Sequence, residues 1–353
     1  MPYERASLVT SLTVAALVGS GLACSRAAEP PTEFGRVPFQ RDYAAGLAKA
    51  KADRKPLFVL FDEVPGCETC REFGRGPLSH PLVVAAAESE FVPVAVANNL
   101  PGADADVLRR FREPAWNNPV VRFLSTGEQD LIARKDGEYT AAFVLTRMAA
   151  ALKADGKTVP AYLQLAVAEY APAQRATAVF AMYCYWEGEA KLGKLDGVIG
   201  TRIGELHGSE VVEVTFDPTR VAYEALVKSA LEMDCAHRVY ARTDAQAEAA
   251  RPLAGNRVTR SDAAIDARTQ QQYHLAHYPQ YHYLPLTALQ ATRVNAALAA
   301  KKSPDEFLSP SQVALRKRIE AGADQAKLKA LVPDRSPKGI GAYALAVDRA
   351  FAK

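Results

Sequence analysis

The 353-residue chain has little charge excess, few cysteines and no internal repeats. Its 43 basic and 40 acidic side chains leave a net charge of +3, which gives no electrostatic case for nucleic-acid binding, where a basic face is expected. Apolar residues make up 49% and charged residues 24%, as in soluble globular proteins with real cores. The length suggests two or three domains.

Long apolar runs are also scarce, and the one from Leu8 to Ala23 is too short to cross a bilayer comfortably. It follows Arg5, carries no charge and suits the core of a signal peptide. We therefore expect residues 1–28 to be a signal peptide and the protein to lie in the periplasm or cell envelope.

The end of this segment is compatible with two ways of cleaving the signal peptide. Gly21–Cys24 resembles a bacterial lipoprotein cleavage site, with a signal ending at residue 23 and Cys24 carrying the lipid. Leu22 stands one position later than is usual in such sites. Cleavage after Ala27 by the ordinary signal peptidase would instead leave a soluble protein.

Cysteines are few, and an oxidising compartment demands a reason for each unpaired thiol. The five are Cys24, Cys67, Cys70, Cys184 and Cys235. Cys67 and Cys70 form a C-x-x-C, in which a thiol at a helix start is favoured as thiolate and the second sulfur lies on the same turn. Glu68 opposes the thiolate and Arg71 favours it. A plain disulfide or half a zinc site is the alternative, but zinc would want a second ligand pair, and His80 alone is a poor candidate.

The elements around this motif resemble the thioredoxin fold over residues 38–153. The patterns predict helices at 40–53, 81–89 and 141–153, strands at 57–61, 91–97 and 120–124, and an edge strand at 130–134. VPGCETC, residues 64–70, resembles a thioredoxin-like family whose first redox position can be selenocysteine; here it is Cys67. The resemblance implies that Pro119 lies near Cys67, after a cis Asn118–Pro119 bond.

Beyond this unit we predict a linker, a second domain and a helical extension. Residues 157–173 read as a linker with a short apolar helix that lets the domains meet without fixing them. Residues 174–285 form an α/β unit with strands at 177–184, 210–216 and around 239–240, and helices at 187–195 and 219–234. Residues 286–353 are predicted to be mostly helical.

The second unit resembles type A peptide-methionine sulfoxide reductases. The ordered blocks are YCYWEGE at 183–189, LDGVIGTRIG at 195–204, GSEVVEVTFDP at 208–218 and QQY at 271–273. The resemblance implies an α+β domain in which Cys184 attacks the sulfoxide sulfur and Glu210 protonates the departing oxygen. Tyr185 and Trp186 would hold the S-methyl group. The sulfenic acid formed on Cys184 must then meet a second thiol.

Departures from that pattern bear on recycling. Tyr183 replaces the glycine before the nucleophile, and the loop between Gly204 and Gly208 is short. The family's C-terminal resolving cysteines are absent, so Cys235 or Cys67 would take up the oxidised sulfur of Cys184. Cys235 is favoured because it falls where the resembled family has an active-site tyrosine. The alternative is that Cys235 is a small buried hydrophobe at a helix end.

Histidines offer a weaker signal. His274 and His277 are one turn apart if helical, but Pro279 breaks the run. Such a stretch more often packs aromatic rings at the rim of a site, and we predict neither a metal nor a cofactor. His207 is more readily a pocket residue than a ligand.

Together these patterns predict an α/β chain that reduces peptide methionine-S-sulfoxide with a fused thioredoxin-like reductant. Its expected partners are oxidised methionine residues of envelope proteins and an upstream thiol reductant, with membrane attachment if Cys24 is lipidated. The alternatives are a thiol-disulfide or metal-handling protein whose second domain does not reduce sulfoxides, and a non-catalytic lipoprotein scaffold.

Overall fold

A computed structural model describes residues 1, 31–115, 119–170, 174–269, 271–322 and 325–351. Apart from Met1, the predicted signal peptide, with Cys24, lies outside these residues. Over the described ranges, every helix is too short or too polar to cross a bilayer. Residues 31–353 pack as one compact unit, built on two sheets and a helical tail.

The first sheet has three strands in the order β2-β1-β3. They are Leu57–Asp62 (β1), Val92–Ala97 (β2) and Val120–Leu124 (β3). β1 runs parallel to β2 and antiparallel to β3. Because alternate side chains of a strand face opposite ways, Phe58 and Leu60 enter one core cluster and Val59 and Phe61 the other. A strand covered on both faces explains the unbroken apolar run.

Six helices accompany this sheet. They are Tyr43–Asp53 (α1), Glu68–Arg75 (α2), Pro81–Glu90 (α3), Ala103–Phe111 (α4), Ala141–Ala154 (α5) and Ala161–Tyr170 (α6). The sequence patterns did not predict α4, because Leu108 is its one fully buried side chain and leaves almost no apolar stripe.

The predicted edge strand at 130–134 is wrong. The structure has isolated bridges there, from Asp130 to Leu124 and from Lys135 to Val121. Between these bridges the Leu131 N–H donates to the Phe123 carbonyl at 2.9 Å, but the ladder does not continue, and Arg134 instead binds the buried Glu113 carboxylate, with Nε 2.8 Å from Oε1.

The second sheet has six strands in the order β8-β7-β4-β6-β5-β9. They are Ala176–Met182 (β4), Val198–Leu206 (β5), Ser209–Phe216 (β6), Ala236–Ala241 (β7), Val258–Arg260 (β8) and Asp266–Ala267 (β9). β5 and β6 form a hairpin through His207 and Gly208, whose φ angles of 50° and 75° suit a two-residue turn. β4 ends two residues before Cys184, which the prediction had placed inside the strand.

Helices pack around this sheet and continue into the tail. They are Tyr185–Gly193 (α7), Tyr223–Glu232 (α8), Asp244–Ala254 (α9), Tyr273–Ala276 (α10), Pro279–His282 (α11), Ala288–Ala299 (α12), Pro310–Glu320 (α13), Gln325–Lys329 (α14) and Ile340–Phe351 (α15). The predicted helical extension is thus present.

Two capping boxes organise the tail. Thr287 with Gln290 begins α12, and Ser309 with Gln312 begins α13. The two glutamines are buried and bond to each other, with Gln290 Nε2 3.0 Å from Gln312 Oε1. The two helix starts therefore support one another.

The segment predicted to be a loose linker is fixed in place. α6 packs on α3, α5 and α12, since its Tyr162, Leu163 and Ala166 form a buried apolar face. The buried Glu169 accepts a hydrogen bond from the Leu289 backbone N–H at 2.8 Å, so it caps α12. Arg36 also pairs with Asp348 of α15. The tail joins the region of the first sheet to that of the second.

Candidate functional site

The first cysteine pair stands where β1 gives way to α2. Cys67 is the N-cap of α2, and its sulfur lies 2.9 Å from that of Cys70. Both cysteines are in the reduced form; Cys67 is half-buried and Cys70 is fully buried. Burial, followed by the contact with Cys67, raises the pKa of Cys70. Cys67 is therefore the accessible sulfur and Cys70 the internal one.

A carboxyl group that sequence reasoning missed lies against this pair. Asp62, the last residue of β1, is fully buried and faces the Cys70 thiol. Burial raises its pKa to about 7, and the charges of Glu33 and Glu63 act in the same direction. Asp62 can thus hold or release a proton beside Cys70 near neutral pH. The available signal was an acidic residue ending an otherwise apolar strand, LFVLFD.

Hydrogen bonds clamp the loop before Cys67. The Gly66 N–H donates to Glu33 Oε1 at 2.7 Å, and Arg71 donates to the Gly66 carbonyl at 2.5 Å. A Cβ at Gly66 would lie 2.6 Å from the Cys70 Cβ, so only glycine fits. Arg71 also pairs with Glu68 at 2.7 Å, so its charge is shared between the loop and this carboxylate.

Two further predictions concern the surroundings of this pair. Pro119 is buried and precedes β3; since Val120 pairs with Phe61, the register continues toward Asp62. The Asn118–Pro119 bond, predicted to be cis, lies outside the described residues. Glu63, Cys67 and Cys70 bring ligand atoms within 4.8 Å of one another, a donor set that could hold a thiophilic cation such as zinc.

The second site is built at the junction of β4 and α7. Cys184 is the N-cap of α7 and is half-buried. Glu210, near the start of β6, accepts a hydrogen bond from the Tyr185 backbone N–H at 3.0 Å. The structure therefore brings the predicted nucleophile and the predicted acid to one helix N-terminus, whose dipole favours negative charge.

The two predicted substrate-binding rings lie beside Cys184 on the first turn of α7. Tyr185 and Trp186 have ring centroids 5.6 Å apart at an interplanar angle of 36°. Tyr273 stacks on Trp186 at 4.0 Å and 18°. Tyr273, predicted to belong to the QQY block and to a stretch that packs aromatic rings at the rim of a site, thus supports the Trp186 ring.

A buried glutamate holds Tyr273 in position. Glu189 is fully buried on α7 and accepts backbone N–H groups of Gln272 at 3.1 Å and Tyr273 at 3.2 Å. Asn295 of α12 donates to the same carboxylate at 3.4 Å and accepts from the Leu275 N–H at 3.0 Å. Burial raises the pKa of Glu189 to about 7, although its hydrogen bonds oppose the shift. Glu189 thus joins α7, α10 and the tail.

A cavity of about 430 Å³, here called the Cys184 groove, opens beside the nucleophile. It is lined by Cys184, Trp186, Glu187, Ala190, Lys191, Lys194, Tyr273, His274, Ala296, Ala299 and Ala300. One wall is therefore α7 and another is the end of α12, which belongs to the tail. Tyr185 and Glu210 are not among these lining residues, so the acid approaches Cys184 from outside the groove.

Cys235 lies on the strand end next to Cys184. Met182 and Ala236 are paired across β4 and β7, and the Tyr183 N–H donates to the Cys235 carbonyl at 2.9 Å. Cys235 is buried, and burial raises the pKa of its thiol, whereas the charge of Lys191 acts in the opposite direction. A disulfide requires Cα atoms within about 7 Å. Its formation with Cys184 stays a prediction that this strand pairing favours.

The histidines near the groove are engaged in packing. His277 lies 4.4 Å from the Tyr273 ring and its Nδ1 is 2.7 Å from the Tyr273 carbonyl oxygen. Burial lowers the pKa of His274, which keeps this ring neutral at neutral pH. His207 occupies the β5–β6 turn and contacts Ser261 at 2.8 Å, on the hairpin rather than in the Cys184 groove.

Comparison with known proteins finds two similarities, the first to thioredoxin-like proteins. Residues 38–126 match the family model described as Thioredoxin-like. A solved structure, a DsbH oxidoreductase, is similar at 20% identity over 35% of this chain and 90% of its own, with a TM-score of 0.29. The thioredoxin-like region contains β1, α2 and the C-x-x-C.

The second similarity is to peptide methionine sulfoxide reductase MsrA. The protein from Salinispora arenicola is 37% identical over 68 residues, which cover 14% of this chain and 31% of the relative. That from Salinispora tropica is 35% identical over 74 residues, covering 16% and 34%. The chain spans about a third of the length of these curated relatives. The predicted fold class is confirmed: a mixed α/β chain with a thioredoxin-like N-terminal region and a helical tail.

Proposed function

We propose that this protein reduces methionine-S-sulfoxide in polypeptides at Cys184 and regenerates that thiol through Cys235 and the thioredoxin-like pair. The observation that carries the proposal is the arrangement at the start of α7, where Cys184, the Glu210 carboxylate and two aromatic rings converge. The similarity to MsrA supports the same chemistry. A thioredoxin-like region in the same chain supports a redox role.

The first step joins Cys184 to the substrate. The Cys184 thiolate attacks the sulfoxide sulfur and forms an S–S bond, while Glu210 gives its proton to the sulfoxide oxygen. This S–S bond and the S–O bond to the methionine sulfur then break as the hydroxyl passes to the Cys184 sulfur, which becomes a sulfenic acid. Methionine leaves as the thioether, reduced by two electrons. Tyr185 and Trp186 would hold the S-methyl group during attack.

The second step removes the oxygen as water. The Cys235 thiol attacks the sulfenic sulfur, a Cys184–Cys235 disulfide forms, and the hydroxyl leaves with a proton. Lys191 is placed to assist, because it lines the groove that Cys184 also lines and its charge favours a thiolate at Cys235.

The third step passes the oxidation to the thioredoxin-like pair. Cys67, the accessible sulfur, enters the Cys184–Cys235 disulfide, and Cys70 then displaces it to give a Cys67–Cys70 disulfide and two reduced thiols at the second site. Asp62 would accept the proton that Cys70 loses, since its carboxyl faces that thiol. An upstream dithiol then reduces the pair.

Export is part of the proposal. The uncharged apolar stretch from Leu8 to Ala23 supports a signal peptide, and Cys24 supports a lipid anchor in the cell envelope. Oxidised methionine residues of envelope proteins would then be the substrates. Labelling of Cys24 with a radioactive fatty acid in the native host, lost in Cys24→Ala, would test the anchor.

The decisive experiment is turnover of a methionine-S-sulfoxide peptide by purified protein with dithiothreitol. We expect stoichiometric methionine, and after one turnover without reductant a Cys184–Cys235 disulfide in the peptide map. A Cys184–Cys67 link with Cys235 still open to alkylation would remove Cys235 from the mechanism. No turnover with dithiothreitol would overturn the proposal.

A second candidate function is thiol-disulfide exchange or metal handling without sulfoxide reduction. The donor set of Glu63, Cys67 and Cys70 favours it, as does the tight β5–β6 hairpin, which shortens a loop that carries a substrate-binding tyrosine in the resembled family. Reduction of a protein disulfide, or zinc binding that blocks Cys67 alkylation, by a protein without sulfoxide turnover would favour this candidate.

A further inference from the structure

The Cys184 groove is larger than the reaction at one sulfur requires. Its volume of about 430 Å³ lies within the range of about 300–1,000 Å³ typical of pockets that hold an entire small ligand. Cys184 and Trp186 occupy one end, and the remaining lining continues along α7 to Lys194. The space beyond the aromatic ring is therefore available to atoms other than the S-methyl group.

Small side chains form the wall opposite α7. Ala296, Ala299 and Ala300 end α12, and Ala190 faces them from α7. Alanines allow a polypeptide backbone to approach closely, whereas larger apolar side chains would fill the space. This wall is present because Asn295 and Glu189 hold α12 against α7.

The far end of the groove is positively charged. Lys194, the C-cap of α7, is exposed and forms no salt bridge with a described residue, whereas Lys191 is paired with Glu187 at 2.6 Å. The C-terminus of α7 adds only about half a negative charge, so the Lys194 ammonium determines the sign at this end.

The geometry points to one occupant, and this inference rests on the proposed function. We propose that the groove binds the polypeptide that flanks an oxidised methionine and favours small residues followed by an acidic one. Ten residues separate Cys184 from Lys194, or about 15 Å along a helix. An extended chain covers that length in about four residues. The acidic side chain should therefore stand about four positions from the methionine sulfoxide.

Two fluorescent peptides test this proposal with the purified, reduced full chain. Each has methionine-S-sulfoxide flanked by three alanines on both sides, and ends in aspartates in one peptide and in lysines in the other. We expect the aspartate peptide to bind about fivefold more tightly at low salt, the size of effect that one exposed ion pair gives, and less so at high salt.

Three variants test which residues cause the difference in affinity between the two peptides. Lys194→Glu should reverse the preference, whereas Lys153→Glu, which makes the same charge change at an exposed position of α5, should preserve it. Ala299→Leu should weaken both peptides, because it fills the wall without changing charge. Equal affinity for the two peptides, or a preference that Lys194→Glu leaves intact, would overturn the groove assignment. Preferential binding without turnover would instead overturn the proposed reaction and support the groove.

Discussion

The two cysteine sites each place a second cysteine near a helix-capping one, but the second cysteine comes from a different part of the fold in each. Cys67 and Cys184 both cap a helix that follows a central strand, and each has a buried second cysteine nearby. In the first site the second sulfur comes from the same helix, 2.9 Å away; in the second it comes from another strand end. The first pair is thus set by local spacing, and the second depends on how the sheet is assembled.

The carboxyl groups near the two sites, Asp62 and Glu210, also differ in burial and in which cysteine they lie beside. Asp62 is buried and faces the internal sulfur of the first site, that of Cys70. Glu210 is half-buried and accepts a hydrogen bond at the start of α7, beside the half-buried Cys184. A buried acid near the second sulfur suits proton exchange during disulfide transfer. An acid near the nucleophile suits proton delivery to a substrate. The four predictions below challenge this division of labour.

The largest expected effect separates the two helix-capping sulfurs. Cys184→Ser should lower sulfoxide turnover with dithiothreitol on the order of 10³-fold or more, because the nucleophile is lost. Cys67→Ser should keep most of that turnover, since dithiothreitol can reduce the second site directly. Steady-state assays of both variants decide this; an equal loss in both would mean that the sites do not divide the work.

Removal of the proton donor comes next. Glu210→Gln should lower kcat by about 100-fold, as expected for loss of a general acid, with little change in KM. Glu213→Gln is the matched control, since this residue lies on the same strand and pairs with Arg202. Similar kcat values for the two variants would remove Glu210 from the chemistry.

The buried acid of the first site predicts a pH dependence of stability. The pKa of Asp62 is raised from its ordinary value of 3.8 to about 7, so the unfolded chain loses this proton first as pH rises. Stability from the protonated group is complete below about pH 4 and is lost through pH 7. Asp62→Asn should therefore raise the free energy of unfolding at pH 8, by at most about 4 kcal/mol.

Urea unfolding at pH 4 and pH 8 measures this difference, which should nearly vanish at the lower pH. Asp53→Asn is the control, because Asp53 is exposed and its pKa is lowered by the hydrogen bond from Lys49. A stabilisation by Asp62→Asn that does not vary with pH would show that Asp62 does not titrate in this range.

The smallest effect concerns positioning at the second site. Tyr273→Ala and Glu189→Gln should each lower kcat/KM by about three- to tenfold, since Trp186 loses its support, whereas Tyr273→Phe keeps the stack and should match the wild type. The near-ultraviolet circular dichroism of the aromatic pair should weaken in the first two variants alone. Unaltered spectra with reduced activity would place the cause elsewhere.

Sequence patterns reached the local features of both sites and missed the distant ones. C-x-x-C spacing and the YCYWEGE block identify sulfurs and rings, and the GSEVVEVTFDP block identifies Glu210, because each signal lies within one turn or one motif. The role of Glu189 was not predicted, because it depends on hydrogen bonds with Tyr273 and Asn295, which are far away in sequence. The wall formed by α12 was not predicted for the same reason. Alanines are common in helices, and these line a groove only because α12 packs beside α7.

The fold was predictable where a strand is buried on both faces, and less so where only pairing with a neighbour defines the strand. The unbroken apolar run predicted β1. β5 was not predicted, because its glycines are typical of a loop and only its pairing with β6 makes it a strand. Residues 157–173 were predicted to be a linker with a short apolar helix, which is α6 in the structure. The packing of α6 on α3, α5 and α12 is not visible in the sequence spacing.

The cap that Glu169 places on α12 has a consequence for cooperativity. α12 contacts α6 on one side and α7 and β5 on the other, so melting it would expose apolar surface of both halves. Regions that share such an element tend to unfold together rather than in sequence. Heating should therefore give a single calorimetric transition for residues 31–353, although they hold two sheets.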